Sequence, residues 1–216
     1  QSQGRWRDSN LVRWFDNTLR PIGGWRTRSD TASAGQVRGM KSWVANNSDR
    51  WIAAGSYNKL YAYSGAGVQY DITPSGLTAG NENALNPVGF GTAFYGREYY
   101  GIARQEAVTI TPATTWSMDS FGQYLVACSS SDGKVYEWQL STGTIAAPVA
   151  NAPVNNRSIL VTEERFLMCL GAGGNPRLVQ WSDRENNTVW TPAATNEAGS
   201  LELQTTGRIQ CGVRVQ

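Results

Sequence analysis

Three stretches of the chain repeat one pattern, and that repeat constrains the fold more than any other feature. The first runs Asp49-Arg-Trp-Ile-Ala-Ala-Gly55, then Lys59-Leu-Tyr-Ala-Tyr63, then Ile72-Thr-Pro74. The second runs Gly122-Gln-Tyr-Leu-Val-Ala-Cys128, then Lys134-Val-Tyr-Glu-Trp138, then Ile145-Ala-Ala-Pro148. The third runs Glu164-Arg-Phe-Leu-Met-Cys-Leu170, then Arg177-Leu-Val-Gln-Trp181, then Val189-Trp-Thr-Pro192. Each unit is a short apolar strand headed by an aromatic (Trp51, Tyr124, Phe166), a Gly-bearing turn, and a second strand ending on an aromatic (Tyr63, Trp138, Trp181). A proline closes each unit 10 or 11 residues later. Repeated four-stranded sheets of about 40–50 residues with periodic Gly and aromatic marks are how β-propeller blades read in sequence. The expected fold is therefore all-β, with propeller-like antiparallel blades.

The 216 residues suit one large all-β domain or part of a bigger one. Nine Trp and nine Tyr can cover a substantial core, so the chain is not a disordered one. No apolar run reaches the ~20 residues a membrane helix needs, and residues 1–25 have no apolar stretch of the signal-peptide kind. Histidine is absent, which removes Ser-His-Asp and Cys-His nucleophile pairs and His-ligated zinc. Carboxylate-pair, Lys, Tyr and Cys chemistry remain. The three cysteines (Cys128, Cys169, Cys211) sit in apolar contexts and read as small buried hydrophobes in a reducing compartment.

The net charge of +2 is uneven, since residues 1–60 hold ten Lys/Arg against four Asp/Glu. That asymmetry fits an oriented contact between subunits or with a polyanion, or else arginines that simply cover solvent-facing positions. Residues 1–36 read as an N-terminal hairpin or arm. Asn10-Leu-Val-Arg-Trp-Phe15 forms one strand, Asp16-Asn17 tolerates positive φ in the turn, and Thr18-Leu-Arg-Pro-Ile22 returns before Gly23-Gly24. Pro21 confines the return strand to an edge or to its last residues. Such a hairpin is expected to close the structure or reach a neighbour.

Residues 37–216 read as the blades, interrupted by an insertion at about 76–112. The core of that insertion is rich in glycine and carries Phe90, Phe94, Tyr95, Tyr99 and Tyr100. These aromatics either meet a partner surface or pack back on their own domain. Beyond Pro192, Arg208-Ile-Gln-Cys-Gly-Val-Arg-Val215 has the alternation of another unit's opening strand. A propeller needs about four blades to close. The expectation is either the front portion of a longer polypeptide or a ring completed by other strands.

Candidate chemistry is sparse. Ser130-Ser-Asp132-Gly133 approaches the turn motif of sialidase-type propellers but lacks the residue between Asp and Gly. Asp132, like Asp183 and Asn186, is expected to cap turn backbone. The group Asp183, Glu185, Asn186 and Asn187 does not match an EF-hand loop. Glu163 and Glu164 would alternate to opposite faces of a strand, and Gly171-Ala-Gly-Gly174 precedes Asn-Pro rather than a helix. No metal, cofactor or enzymatic activity is expected. Arg5, Arg7, Arg13, Arg20, Arg26 and Arg28 interleave with Trp6, Trp14 and Trp25, a pattern that suits stacking and phosphate contact. With a pI of only 8.5, dedicated nucleic-acid binding is not expected. These arginines and the five insertion aromatics are the candidate interaction residues.

Trp6-Arg-Asp-Ser-Asn-Leu-Val-Arg-Trp14 with Pro21-Ile-Gly-Gly-Trp25 resembles the opening of structural proteins of tailed bacteriophages. Lys59-Leu-Tyr-Ala-Tyr63 with Asp71-Ile-Thr-Pro74, the run Trp116 to Ala127, and Gln180-Trp-Ser-Asp183 with Asn187-Thr-Val-Trp-Thr-Pro192 fit the same resemblance in the same order. The family is the propeller-bearing nozzle, or tail tubular, component of short-tailed phages. The resemblance implies a virion tail protein, assembled in the host bacterial cytoplasm, in a ring that is usually sixfold (a hexamer) at the end of the DNA-ejection tube. It implies other copies of itself and other tail or adaptor proteins as partners, non-specific proximity to genomic DNA, and no catalytic residue. Members are generally much longer than this chain. The rival expectations are a carbohydrate-binding or glycan-cleaving propeller of a phage receptor-binding apparatus, and a cellular interaction propeller.

Overall fold

The computed structural model describes residues 10–24, 26–84 and 111–214. Its strands form four small antiparallel sheets, and the all-β expectation holds. Among the described residues neither a closed barrel nor a closed propeller is formed.

The smallest sheet is the expected hairpin, β1 (Val12–Phe15) and β2 (Thr18–Pro21). Asp16 and Asn17 have φ of 47° and 55°, so the two-residue turn has both central residues left-handed and matches the twist of the strands. Pro21, which has no N–H to donate, is the last residue of β2.

The other three sheets are four-stranded meanders. The first contains β3 (Met40–Val44), β4 (Arg50–Gly55), β5 (Leu60–Ser64) and β6 (Gln69–Asp71). The second contains β7 (Trp116–Phe121), β8 (Tyr124–Ser129), β9 (Val135–Trp138) and β10 (Ala147–Pro148). The third contains β11 (Ser158–Val161), β12 (Leu167–Leu170), β13 (Leu178–Trp181) and β14 (Gly199–Glu202). In all three, strands follow one another in chain order and every neighbour pair is antiparallel. The repeated sequence unit supplies the two middle strands of each sheet. The opening strands β3, β7 and β11 lie outside it.

Alternation along these strands makes each sheet two-faced. One face of the first sheet (Trp43, Trp51, Ala53, Ala62) packs on one face of the second (Trp116, Leu125, Tyr136, Trp138), with Leu60 and Ile72 fully buried beside them. Trp51 meets Trp138 edge-on, with centroids 5.2 Å apart. The opposite face of the second sheet (Val126, Cys128, Val135) packs on Ile159, Val161, Leu167 and Cys169 of the third, capped by Trp190. Burying a side chain the size of Trp138 contributes roughly 4 kcal/mol or more from its ~200 Å² of surface. The buried indole N–H groups are satisfied: Trp116 donates to the Ser56 carbonyl at 2.6 Å and Trp190 to the Asn187 carbonyl at 2.7 Å.

The proline signal marks different places in the three units. Pro148 lies in β10, Pro74 follows β6, and Pro192 precedes β14 by several residues. Cys128 and Cys169 are buried as expected, but Cys211 is exposed and lies outside any strand, since residues 203–214 form none. Glu163 and Glu164 fall in the turn between β11 and β12, both exposed, so strand alternation does not separate them.

Candidate functional site

The two inter-sheet seams meet at the opening strands. β3 lies against β7, and β7 against β11. None of these pairs forms a backbone ladder; side chains bridge them instead. Ser117 on β7 donates its hydroxyl to the Ile159 carbonyl at 3.0 Å and accepts the Ile159 N–H at 3.1 Å. Asp119, also on β7 and buried, accepts the Val161 N–H of β11 at 2.9 Å through Oδ2. Its Oδ1 accepts the Ser120 N–H at 2.9 Å and sits 2.7 Å from the Lys41 ammonium on β3. One carboxylate thus joins three sheets. It has a cation on one side and a backbone donor on the other, the condition under which a buried charge is tolerated.

These strands border a cavity of about 300 Å³ lined by Lys41, Ser117, Asp119, Ile159, Leu160 and residues 212–214. Residues 212–214 therefore come close to β11. A Cβ on Gly212 would lie 2.7 Å from Leu170 Cδ1, which shows how closely the backbone approaches the outer face of the third sheet.

That outer face carries a shallow apolar groove of about 230 Å³ formed by Thr162, Phe166, Met168 and Trp181. Leu201, 57% exposed, belongs to the same sheet. The free face of the first sheet is partly covered by the arm. The Ala34 N–H donates to the Tyr61 hydroxyl at 3.1 Å, and Arg28 hydrogen-bonds the Gly65 carbonyl. Met40 and Val44 on that face stay exposed.

A polar depression of about 320 Å³ lies between Ser130–Gly133, Asn155–Arg157 and Arg208. Its carboxylate is already used. Asp132 accepts the Lys134 N–H at 3.1 Å and the Tyr136 hydroxyl at 2.5 Å, the turn-capping role expected from sequence. Burial, then the bond to Asp132, pushes the Tyr136 phenol above its ordinary value. Burial also raises the Cys128 thiol to about 12, with a smaller push from Asp132, and raises Cys169 well above the usual thiol range. These thiols stay protonated and unreactive in the folded chain. Asn186 likewise accepts the Thr188 N–H of its own turn at 3.0 Å, whereas Asp183 accepts the N–H of Glu197, 14 residues on, at 2.8 Å and ties its turn to the loop before β14. Among the described residues no group of three His, Cys, Asp or Glu could hold a metal ion.

The candidate arginines separate. Arg13 and Arg20 sit on one hairpin face over the Phe15 ring, at 5.8 and 5.0 Å from its centroid. Arg26 is exposed, and Arg28 is engaged with Gly65. Arg5, Arg7, Phe90, Phe94, Tyr95, Tyr99 and Tyr100 lie outside the described residues, as does most of the insertion. Lys41 and Asp119 were not singled out by sequence. The one available signal was a lone carboxylate in mid-strand, in Trp116-Ser-Met-Asp-Ser-Phe121.

No protein-family model, no curated protein and no solved structure matches the chain.

Proposed function

We propose that this protein is a non-catalytic structural subunit of a bacteriophage tail, its sheets acting as propeller blades in a nozzle or tube ring around the DNA-ejection channel. The observation that carries this reading is the repeated geometry of the seams. Three meanders of like topology stack face to face with their opening strands adjacent, as blades do around an axis. The aromatic and turn motifs that resemble tail nozzle proteins supply the phage assignment. The working partners are other copies of the chain, in a ring of about six, and neighbouring tail or adaptor proteins. DNA passes without being held.

The chemistry suits passage rather than binding. Each phosphate–cation contact adds a steep salt-dependent affinity that would slow a moving duplex. Lys41, the described cation in the opening strand of the first sheet, is neutralised by Asp119 at 2.7 Å. Rigid sheets set the dimensions of the ring, and the arm makes contacts between subunits.

Purified virions of a phage encoding the chain test this. Mass spectrometry finds the protein at a fixed ratio to other tail components, and antibody labelling places it on the tail. Its absence from particles, or release of sugar from bacterial polysaccharide by the purified protein, overturns the reading.

A further inference from the structure

The polar depression beside the second and third sheets has no use in a ring subunit. It lies where the β8–β9 turn, the segment leading into β11, the β12–β13 turn and the terminal segment come together. Backbone bonds fix all four. The Asn156 N–H donates to the Gly133 carbonyl, the Arg157 N–H to that of Leu170 and the Ile209 N–H to that of Pro176, each at 2.9 Å. A Cβ on Gly133 would lie 2.5 Å from the Asn155 Cα, so the first two walls meet backbone to backbone. The cavity of about 320 Å³ is therefore formed before any ligand arrives. That size is at the lower end of the ~300–1,000 Å³ usual for small-molecule sites.

Its walls carry charge that the fold does not consume. Arg157 is half-buried and Arg208 exposed, and neither guanidinium has a hydrogen bond or ion pair among the described residues. Arg177, next to the lining residue Pro176, is by contrast paired with Glu202. Two uncompensated guanidiniums on one cavity favour an anion, and their planar forks suit a carboxylate or a phosphate.

The same lining holds acceptors that lack a donor. Asn156 is 4% exposed, and its amide nitrogen donates to the Gly133 carbonyl at 2.8 Å and the Pro153 carbonyl at 2.5 Å. Both partners are acceptors, so the amide cannot be turned over, and Oδ1 is left buried without a hydrogen bond. An acceptor in that condition is costly until a donor reaches it. Asp132 accepts one bond on each carboxylate oxygen, which leaves further lone pairs open. A phosphodiester has no proton to offer these groups and would meet the Asp132 charge. A hydroxylated acid supplies both halves, its carboxylate to the arginines and its hydroxyls to the acceptors.

We propose that this cavity binds an acidic sugar, a uronic acid residue of a polysaccharide, with its carboxylate on Arg157 and Arg208 and its hydroxyls on Asn156 Oδ1 and Asp132. Asp132 is the single carboxylate of the lining. Glycoside cleavage takes a pair, so the site holds the sugar without hydrolysing it. Such binding needs one copy of the chain and is independent of ring formation. A small ligand on few anchors binds weakly, with a dissociation constant of roughly a millimolar.

The test titrates galacturonate into the isotope-labelled full chain and follows amide shifts by NMR. Shifts should concentrate at 130–133, 155–157 and 208–209. Arg208→Gln, at an exposed position, and Arg157→Gln should each weaken binding by about tenfold or more, the loss of one charge-assisted contact. Unchanged spectra away from the cavity show that each variant is folded. Galactose, which lacks the carboxylate, and cyclohexanecarboxylate, which lacks the hydroxyls, should each bind about tenfold more weakly than galacturonate. Cyclohexanecarboxylate or inorganic phosphate binding as tightly as galacturonate would reduce the cavity to a general anion site and overturn the sugar assignment. An oligothymidylate that binds more tightly than galacturonate, and loses affinity in Arg208→Gln, would overturn it in favour of a nucleic-acid contact. Absence of shifts at the cavity, or affinity unchanged in both arginine variants, overturns the site itself and leaves the ring reading untouched.

Discussion

Replacing Asp119 by Ala is the sharpest single perturbation of this architecture. The substitution removes the acceptor of the Val161 and Ser120 N–H groups and the counter-ion of Lys41. The Val161 bond is buried, so its donor is left without a partner, at about 1–3 kcal/mol. Lys41 is 30% exposed and can turn to water, so its loss adds roughly 1 kcal/mol or less. The Ser120 bond is local and adds about 1 kcal/mol. The expected destabilisation is about 2–5 kcal/mol, a large share of the 5–15 kcal/mol typical of a domain. Lys41→Met keeps both backbone bonds and should cost about 1–2 kcal/mol, because it leaves the buried carboxylate without its cation. Guanidinium unfolding followed by tryptophan fluorescence measures both, with the denaturant slope as the check on two-state behaviour. A loss below about 1 kcal/mol for Asp119→Ala would refute the claim that this carboxylate joins the three sheets. So would a Lys41→Met effect as large as that of Asp119→Ala.

Other outcomes follow from the same geometry. Maleimide at neutral pH should label Cys211 at once, and Cys128 and Cys169 only after unfolding, as counted by intact-mass spectrometry; rapid labelling of all three would contradict the buried seam between the second and third sheets. Because Cys128 titrates near 12 when folded against 9.0 when free, its contribution is complete below pH 9. That contribution falls by about 1.4 kcal/mol per pH unit between those values. Wild-type stability should therefore drop more steeply above pH 9 than that of Cys128→Ala, and equal slopes would refute the assignment. Gly55→Ala would place a methyl 2.4 Å from the Trp116 ring, whose N–H is held by Ser56, and should destabilise by about 1–3 kcal/mol. A neutral result in thermal unfolding would mean that Trp116 is not fixed there.

What the sequence revealed and what it hid have physical causes. The middle strands were legible because they concentrate aromatic and apolar residues around Gly-bearing turns. The hairpin was legible because Asp16-Asn17 is a left-handed turn pair between alternating strands. The opening strands were not. Met40-Lys-Ser-Trp-Val44 alternates buried with exposed polar and apolar residues, and Ser158-Ile-Leu-Val161 is too short to carry a period. Their placement depends on tertiary packing against a neighbouring sheet, which no local pattern encodes. Asp119 was hidden for the same reason: its role depends on Lys41 and Val161, far away in the chain. Cys211 misled because an alternating apolar context looks the same whether or not a sheet covers it.

The central proposal is that the three meanders are propeller blades, their opening strands innermost in each copy, in a subunit of a ring of about six copies. Electron-microscopic class averages of the purified, assembled protein test it most directly. The expected result is a ring of about six copies with an axial bore, in which the strands carrying Lys41, Asp119 and Ile159 lie side by side inside each copy. Particles without a bore, or a map in which those strands lie on the outer rim, would contradict it.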